Sequence, residues 1–449
     1  MDLKKFIEDN KLNAIEDLKN WIKIHSVDDS EHALPFAPFG LDVELALHYI
    51  GQLGEKAGFK VDYCNGYATE ITVGSGEHLI AIYAHCDVVP ATGDWKYDPF
   101  SGQIEDGVMY GRGTSDDKGP AIAAFYALKA IKEIIESNKK YRVQLVIGGN
   151  EEKGSKCLEY YFDTLKKPYP DYGFTPDGDF PLIYGEKGIS NYSSSLECNL
   201  YPIVEIRGGE ATNSVIDKAY AIIKDREIIN YLKEKKIKYK VEDVDDGIKV
   251  IIYGKSAHGS LPELGINAGM ILLETLGEYY NIKILKELAY AYKDTSGANM
   301  NLCFESSLLH KSTYNVGLIS YDGKTLELTV NFRYPENVEV KDVIKRIDEL
   351  YGTKTMLLRD SKPLLMKPDS PLVTSLLKAY RETTGDYETP IMTIGGGTYA
   401  RDSRNTIAFG SHFPSREDHI HEPNEKIHLE DFLTSIEIYA RGIMELLKL

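Results

Sequence analysis

The chain has 449 residues, enough for two or three domains around a large core, so a single small module is excluded. With 43% hydrophobic and 27% charged residues it has the make-up of a folded globular protein and not of a disordered, collagen-like or disulfide-scaffold chain. A net charge of −17 repels phosphate at long range, which argues against nucleic acid and anionic membranes as partners and favours small cations.

The opening segment, MDLKKFIEDNKLNAIEDLKNWIKI, carries acidic residues throughout and lacks both a signal-peptide apolar core and an Arg-rich transit pattern. No uninterrupted apolar stretch is long enough to span a bilayer. The five cysteines are widely spaced with no C-x-x-C, which points away from a disulfide framework or a thiolate zinc site. A cytoplasmic protein is expected.

Residues 79–84 (LIAIYA) read as a strand ending at His85. Residues 120–131 (PAIAAFYALKAI) read as a helix with proline in its first turn, and 141–147 (YRVQLVI) as a second strand stopped by Gly148 and Gly149. Strand, helix, strand make a β-α-β unit, the signature of a mostly parallel sheet covered by helices. Its strands end in AHCDVVP and GGNEEKG, and open α/β sheets bind ligands beyond the carboxyl ends of their strands. From about Glu186 the texture changes. Residues 238–253 read as a hairpin around Asp245-Asp246-Gly247, and 325–334 (TLELTVNFRY) alternates at period two. There Leu326, Leu328, Val330, Phe332 and Tyr334 should face a core, with Thr329, Asn331 and Arg333 on the polar face. The proline-rich run 361–371 and the strand-like 406–409 return to α/β texture. The expected architecture is therefore an α/β catalytic domain with a mixed, mostly parallel sheet, formed by 1–185 and 364–449. An α+β domain with an antiparallel sheet, 186–363, is inserted into it.

Five places carry chemistry: His85-Cys86-Asp87, Asp116-Asp117 in GRGTSDDKGP, Glu151-Glu152 in GGNEEKG, Asp177 in TPDGDFP, and His421 in HIHEPNEKI. Singly, each is most often a solvated pair, a turn or an ordinary histidine. Together, imidazoles and carboxylates without thiolates suit zinc, manganese or cobalt, with enough carboxylates for two ions. Residues two apart on an extended chain project to one side, so Asp87 can accept the second ring N–H of His85 and set its tautomer. Adjacent glutamates point apart, so one can ligate while its neighbour serves as general base. A phosphate loop is excluded because GRGTSDDKG lacks the G-K-[ST] ending, and neither G-x-S-x-G nor H-E-x-x-H occurs.

In order and spacing, AHCDVVP, GRGTSDDKGP, NEEKG, TPDGDFP and HEPNE resemble the metal-site motifs of the co-catalytic di-zinc peptidases. That family includes aminoacylases, succinyl-diaminopimelate desuccinylases, glutamate carboxypeptidases and carnosinase-like dipeptidases. The pairing of TPDGDFPLIYGEKG with GGGTYAR and the long insertion look most like the bacterial dipeptidase V subgroup. The resemblance implies two divalent ions, zinc first and manganese second. His85 and Asp177 would hold one, Glu152 and His421 the other, with Asp116 bridging. Asp87 would orient His85, and Glu151 would activate the water. In the inserted domain it implies an oxyanion-binding His258 and, as substrate contacts, Asn213 and Arg333, the latter for the carboxylate; Gly396 of GGGTYAR, in the second catalytic segment, is expected as a further substrate contact. His412 and His419 are rivals of His421, which alone precedes x-x-Asn-Glu. The expectation is a dipeptidase in which metal-bound hydroxide attacks the amide of a small peptide, acting as a monomer, with a dimer as the other possibility. The competing readings are an N-acyl or N-succinyl amino acid amidohydrolase and a non-catalytic metal- or peptide-binding protein.

Overall fold

The computed structural model describes residues 2–417 and 419–449. The chain forms two compact units: Met1–Tyr184, Leu365–Met392 and Thr398–Leu449 make the first, Gly185–Leu364 and Thr393–Gly397 the second. The sequence reading places the short segment Thr393–Gly397 in the catalytic domain, whereas contacts place it in the second unit. The physical tie is Arg333, whose Nη1 donates to the Gly395 carbonyl at 2.6 Å.

At the heart of the first unit are four parallel strands, in the order Tyr141–Gly148, His78–His85, Tyr172–Thr175 and Thr406–Ala408. Antiparallel strands extend the sheet at both sides: Ala68–Val73 beside the first and Ile183–Glu186 beside the last. Seven of the eight residues of His78–His85 are buried, as befits a strand covered on both faces. The helix Lys118–Ala130 has no polar stripe and is buried almost all round. A helix apolar on every side has to lie inside. Helices Leu3–Ile22 and Leu429–Leu446 pack against it, and Tyr439 of the latter also meets Phe174 of the sheet.

The second unit is an eight-stranded antiparallel sheet whose order runs Tyr239–Val244, Gly247–Tyr253, Lys218–Ile223, Ile203–Gly208, Thr313–Tyr321, Thr325–Tyr334, Gly188–Glu197 and Lys354–Ser361. Helices Ala268–Tyr279, Lys283–Lys293 and Val340–Tyr351 supply apolar residues to its core. The alternation in Thr325–Tyr334 sorts the side chains by polarity but not by exposure. Thr329, Asn331 and Arg333 are as buried as their apolar neighbours. Asn331 pays for that burial by hydrogen bonding Asn191 at 2.8 Å and receiving the Arg333 Nε–H at 2.9 Å.

Candidate active site

The four parallel strands end at one edge of the sheet, and that edge carries the chemistry. His85 is the last residue of its strand and pairs with Gly148, the last of the next. Three and four residues on from Gly148 stand Glu151 and Glu152. Asp177 follows Thr175, and the chain beyond Ala408 leads to His421. Asp116 and Asp117 precede the buried helix Lys118–Ala130.

The geometry centres on Asp116. Its Oδ1 is 2.9 Å from His85 Nε2, and its Oδ2 is 2.9 Å from His421 Nε2. His421 Nε2 is also 3.0 Å from Glu152 Oε1. Donor atoms of His85, Asp116 and Glu152 lie within 4.8 Å of one another. The two oxygens of one carboxylate thus serve two imidazoles, with Glu152 on the His421 side. Asp177 lies outside that tight group, but its charge helps to raise the carboxyl pKa values of Asp117 and Glu151. The rival histidines go elsewhere. His412 Nδ1 is 2.9 Å from Asp179 Oδ1, and the ring nitrogens of His419 are 3.5 and 3.6 Å from Glu417 and Glu422.

Asp87 does more than its spacing suggests. The His85 Nδ1–H donates to the backbone carbonyl of Asp87 at 2.9 Å, and the Asp87 carboxylate is farther, at 3.4 Å. That carboxylate instead accepts the backbone N–H groups of Glu151 at 3.0 Å and Glu152 at 3.1 Å. A carboxylate that takes two successive amides fixes the direction in which both glutamates leave the chain. The His85 tautomer is still set, because a carbonyl only accepts and leaves Nε2 to face Asp116.

Two further carboxylates hold segments of the cluster by their amides. Asp117 Oδ2 accepts the His85 backbone N–H at 3.1 Å. Glu425 Oε1 accepts those of Ser115 at 2.9 Å and Asp116 at 3.2 Å, while its Oε2 pairs with Arg112 Nη1 at 2.6 Å. Arg112 and Glu425 are both buried, and Trp95 lies 5.2 Å from the guanidinium. Sequence reasoning passes over these roles. The signal was present in part, since Glu425 ends HEPNE and Asp117 is the second acid of its pair, but nothing in a motif tells a ligating carboxylate from one that binds amides.

Burial raises the Glu152 carboxyl pKa, and with the Asp116 charge beside it the value reaches about 7 against the pull of His421. Burial also pushes Glu151 well above the ordinary carboxylate range; His85 opposes this, and Asp177, Glu152 and Asp116 add to it. For His421 burial works downward, but Asp116 and Glu152 outweigh it and push the imidazole up to about 11. The charge of this acidic cluster is therefore balanced by imidazole protons, the same charge that divalent cations would supply. The donor set also fits by distance. Two ligands about 2.0 Å from one tetrahedral ion lie about 3.3 Å apart, within a few tenths of an ångström of the separations here.

In the second unit, taken by itself, the other candidate residues share one patch. Ser214 bridges His258, and the Gly259 N–H donates to the Asn213 carbonyl at 2.7 Å. The buried Asn315 amide ties the Asn213 turn by donating to the Thr212 and Ser214 carbonyls, both at 2.9 Å. A Cβ on Gly395 would lie 3.4 Å from the Ser260 Cβ. Because Arg333 holds the Gly395 carbonyl, the run from Asn213 through His258 to Arg333 and Gly396 is continuous.

The model of Peptidase family M20/M25/M40 matches residues 81–445. Two bacterial proteins of similar length carry the name "Putative dipeptidase". One, from Staphylococcus epidermidis, is 36% identical over 458 residues, covering 96% of each chain. The other, YtjP of Bacillus subtilis, is 36% identical over 457 residues, covering 98% of each. Among solved structures, human carnosine dipeptidase 1 superposes with a TM-score of 0.62 at 15% identity, over 100% of this chain and 99% of that one. The di-peptidase Dug1p of Saccharomyces cerevisiae gives 0.62 at 15%, over 100% and 98%. At that identity the likeness is one of fold.

Proposed function

The chain belongs to peptidase family M20/M25/M40, and from that premise and the geometry of its site we infer that it is a metal-dependent dipeptidase. The observation that carries the reading is Asp116, whose two carboxylate oxygens face two different imidazoles with Glu152 alongside. On this reading His85 and Asp177 would hold one divalent ion and Glu152 and His421 a second, with Asp116 placed to serve both. Zinc is favoured by the mixed imidazole and carboxylate donors, with manganese the alternative. When bound, such a pair of ions polarises the scissile carbonyl and lowers the pKa of water.

The remaining steps belong to side chains. Glu151, aimed by the Asp87 carboxylate, takes the proton of the attacking water and returns it to the leaving amine. His85 keeps Nε2 toward the centre because its Nδ1–H is committed to the Asp87 carbonyl. In the second unit, Arg333 suits a terminal carboxylate because its planar guanidinium can form two parallel hydrogen bonds. His258 donates to the oxygen that gains charge, and Asn213 and Gly396 line the same patch. A soluble cytoplasmic monomer is proposed. No helix among the described residues is long and apolar enough to cross a membrane.

The test is a substrate panel on protein purified without chelator. Dipeptides should be cleaved, with activity lost on chelation and restored by zinc or manganese. Preferential hydrolysis of N-acyl or N-succinyl amino acids would replace this reading with the amidohydrolase one. Binding without turnover of any of them would replace it with the non-catalytic one.

A further inference from the structure

We propose that Ser260 is a positioning residue that fixes the tautomer of His258, keeping the ring proton on Nε2; the functional weight of this rests on the reading of His258 given above.

His258 is exposed. A turn of its own chain brings Ser260 against its ring. The Leu261 N–H donates to the His258 carbonyl at 3.0 Å, closing residues 258–261 and folding Ser260 back over the ring. Gly259 allows this, because a Cβ there would stand 2.9 Å from the Asn213 carbonyl oxygen. On the other side Ser260 lies against Gly395.

Two groups of Ser260 then meet His258 Nδ1: the hydroxyl oxygen at 2.6 Å and the backbone nitrogen at 3.4 Å. A hydroxyl can donate or accept, so it alone does not choose a tautomer. A backbone N–H can only donate. A proton on Nδ1 would point at the amide hydrogen, so Nδ1 carries its lone pair toward both groups and the hydroxyl donates as well. A neutral imidazole has one N–H, and it is therefore at Nε2.

The consequence is chemical. An imidazole that is to stabilise an oxyanion has to present N–H, and the other tautomer would present a lone pair to a negative oxygen. Loss of one oxyanion donor costs about 10²–10³ in rate. Ser260 thus does for an exposed histidine what a buried carboxylate does for a histidine in an interior.

The experiment uses the full-length, zinc-loaded protein labelled with 15N-histidine. Two-bond 1H–15N spectra identify which ring nitrogen is protonated, with His258 assigned by its absence in His258→Gln. The expected wild-type pattern is unprotonated Nδ1 and protonated Nε2. In Ser260→Asp the carboxylate only accepts, so the proton moves to Nδ1, and kcat should fall on the order of 10²-fold with zinc content unchanged. Ser260→Thr retains the hydroxyl and should keep both the wild-type spectrum and turnover. A wild-type Nδ1–H pattern overturns the proposal, as does a Ser260→Asp enzyme with shifted tautomer and undiminished kcat. Wild-type turnover in His258→Gln would instead remove the role of His258 itself, an outcome the spectrum separates from a wrong tautomer.

Discussion

The loops around Asp116 and the patch around His258 solve the same problem, aiming a side chain, by opposite means. In the first unit the segments of the acidic cluster are held by carboxylates that bind backbone amides: Asp87 for Glu151 and Glu152, Asp117 for His85, and Glu425 for Asp116. All three of these carboxylates are buried. In the second unit His258 is exposed and held by a serine two residues along its own chain. The contrast follows from charge. Acidic side chains crowded at one sheet edge repel one another, and only firmly anchored segments can keep them there without a cation. A single imidazole meets no such crowding of like charges, and there a local turn brings the contact.

The sharpest way to break this picture is at Glu151, the one acid of the cluster assigned to proton transfer and not to metal. Glu151→Ala should lower kcat by about 10²–10⁴-fold, the range for a lost general acid-base, while bound zinc measured by atomic absorption stays at wild-type stoichiometry. Loss of metal in that variant would make Glu151 a ligand and invert its relation to Glu152.

Next in size is the amide anchor. Glu425→Ala would strand a buried Arg112, at a cost of about 3–5 kcal/mol read from urea unfolding. Zinc affinity, measured by calorimetric titration, should fall about 10–100-fold, as it does when the partners of metal ligands are removed. The double variant Arg112→Leu/Glu425→Leu should recover much of the stability and none of the affinity. If affinity recovers too, Glu425 is an interior ion-pair partner and nothing more.

In the second unit, Arg333→Ala should reduce kcat/KM for a dipeptide by about 10–100-fold, corresponding to a lost charge-assisted contact of about 1.5–3 kcal/mol. For the corresponding dipeptide amide, which lacks the terminal carboxylate, the same substitution should change little. Equal losses on both substrates would assign Arg333 to holding Gly395 alone.

The smallest effect separates interior from surface by thiol chemistry. Cys157 lies 2.9 Å from the Tyr399 hydroxyl, beneath the ring that meets His85 edge-on, and burial pushes its pKa up to about 12. At pH 8 only about one such thiol in 10⁴ is ionised. Cys303 is exposed in the second unit. Titration with a disulfide reagent should show one fast thiol, abolished by Cys303→Ser, with the half-buried Cys198 slower and Cys64, Cys86 and Cys157 reacting only on unfolding.

Much of this clustering was legible in the sequence because candidate donors are named by residue type and placed by strand ends. His85, Asp116, Glu152 and His421 stand in different motifs, and the parallel strands carry them to one edge. The choice of His421 over His412 and His419 rested on the Asn-Glu that follows it, and Glu425 of that pair proves to grip the Asp116 segment. The anchoring carboxylates were not legible as such. Their targets are backbone N–H groups, which every residue but proline has, so no pattern advertises them. For the same reason Asp87 was read only as a partner of the imidazole beside it, which it faces at 3.4 Å, and not as the acceptor of two amides. The burial of Arg333 was missed because alternation reports the polarity of a strand face and not what covers it.

The five-residue return Thr393–Gly397 limits how this protein can be rebuilt. A chimera that exchanges the second unit at its two long-range boundaries, taking Gly185–Leu364 alone, leaves behind the carbonyl that receives the Arg333 guanidinium. Transplanting the recognition surface from a relative therefore means moving two stretches of chain, and a donor pentapeptide of different length or shape would misdirect the graft before any substrate arrived.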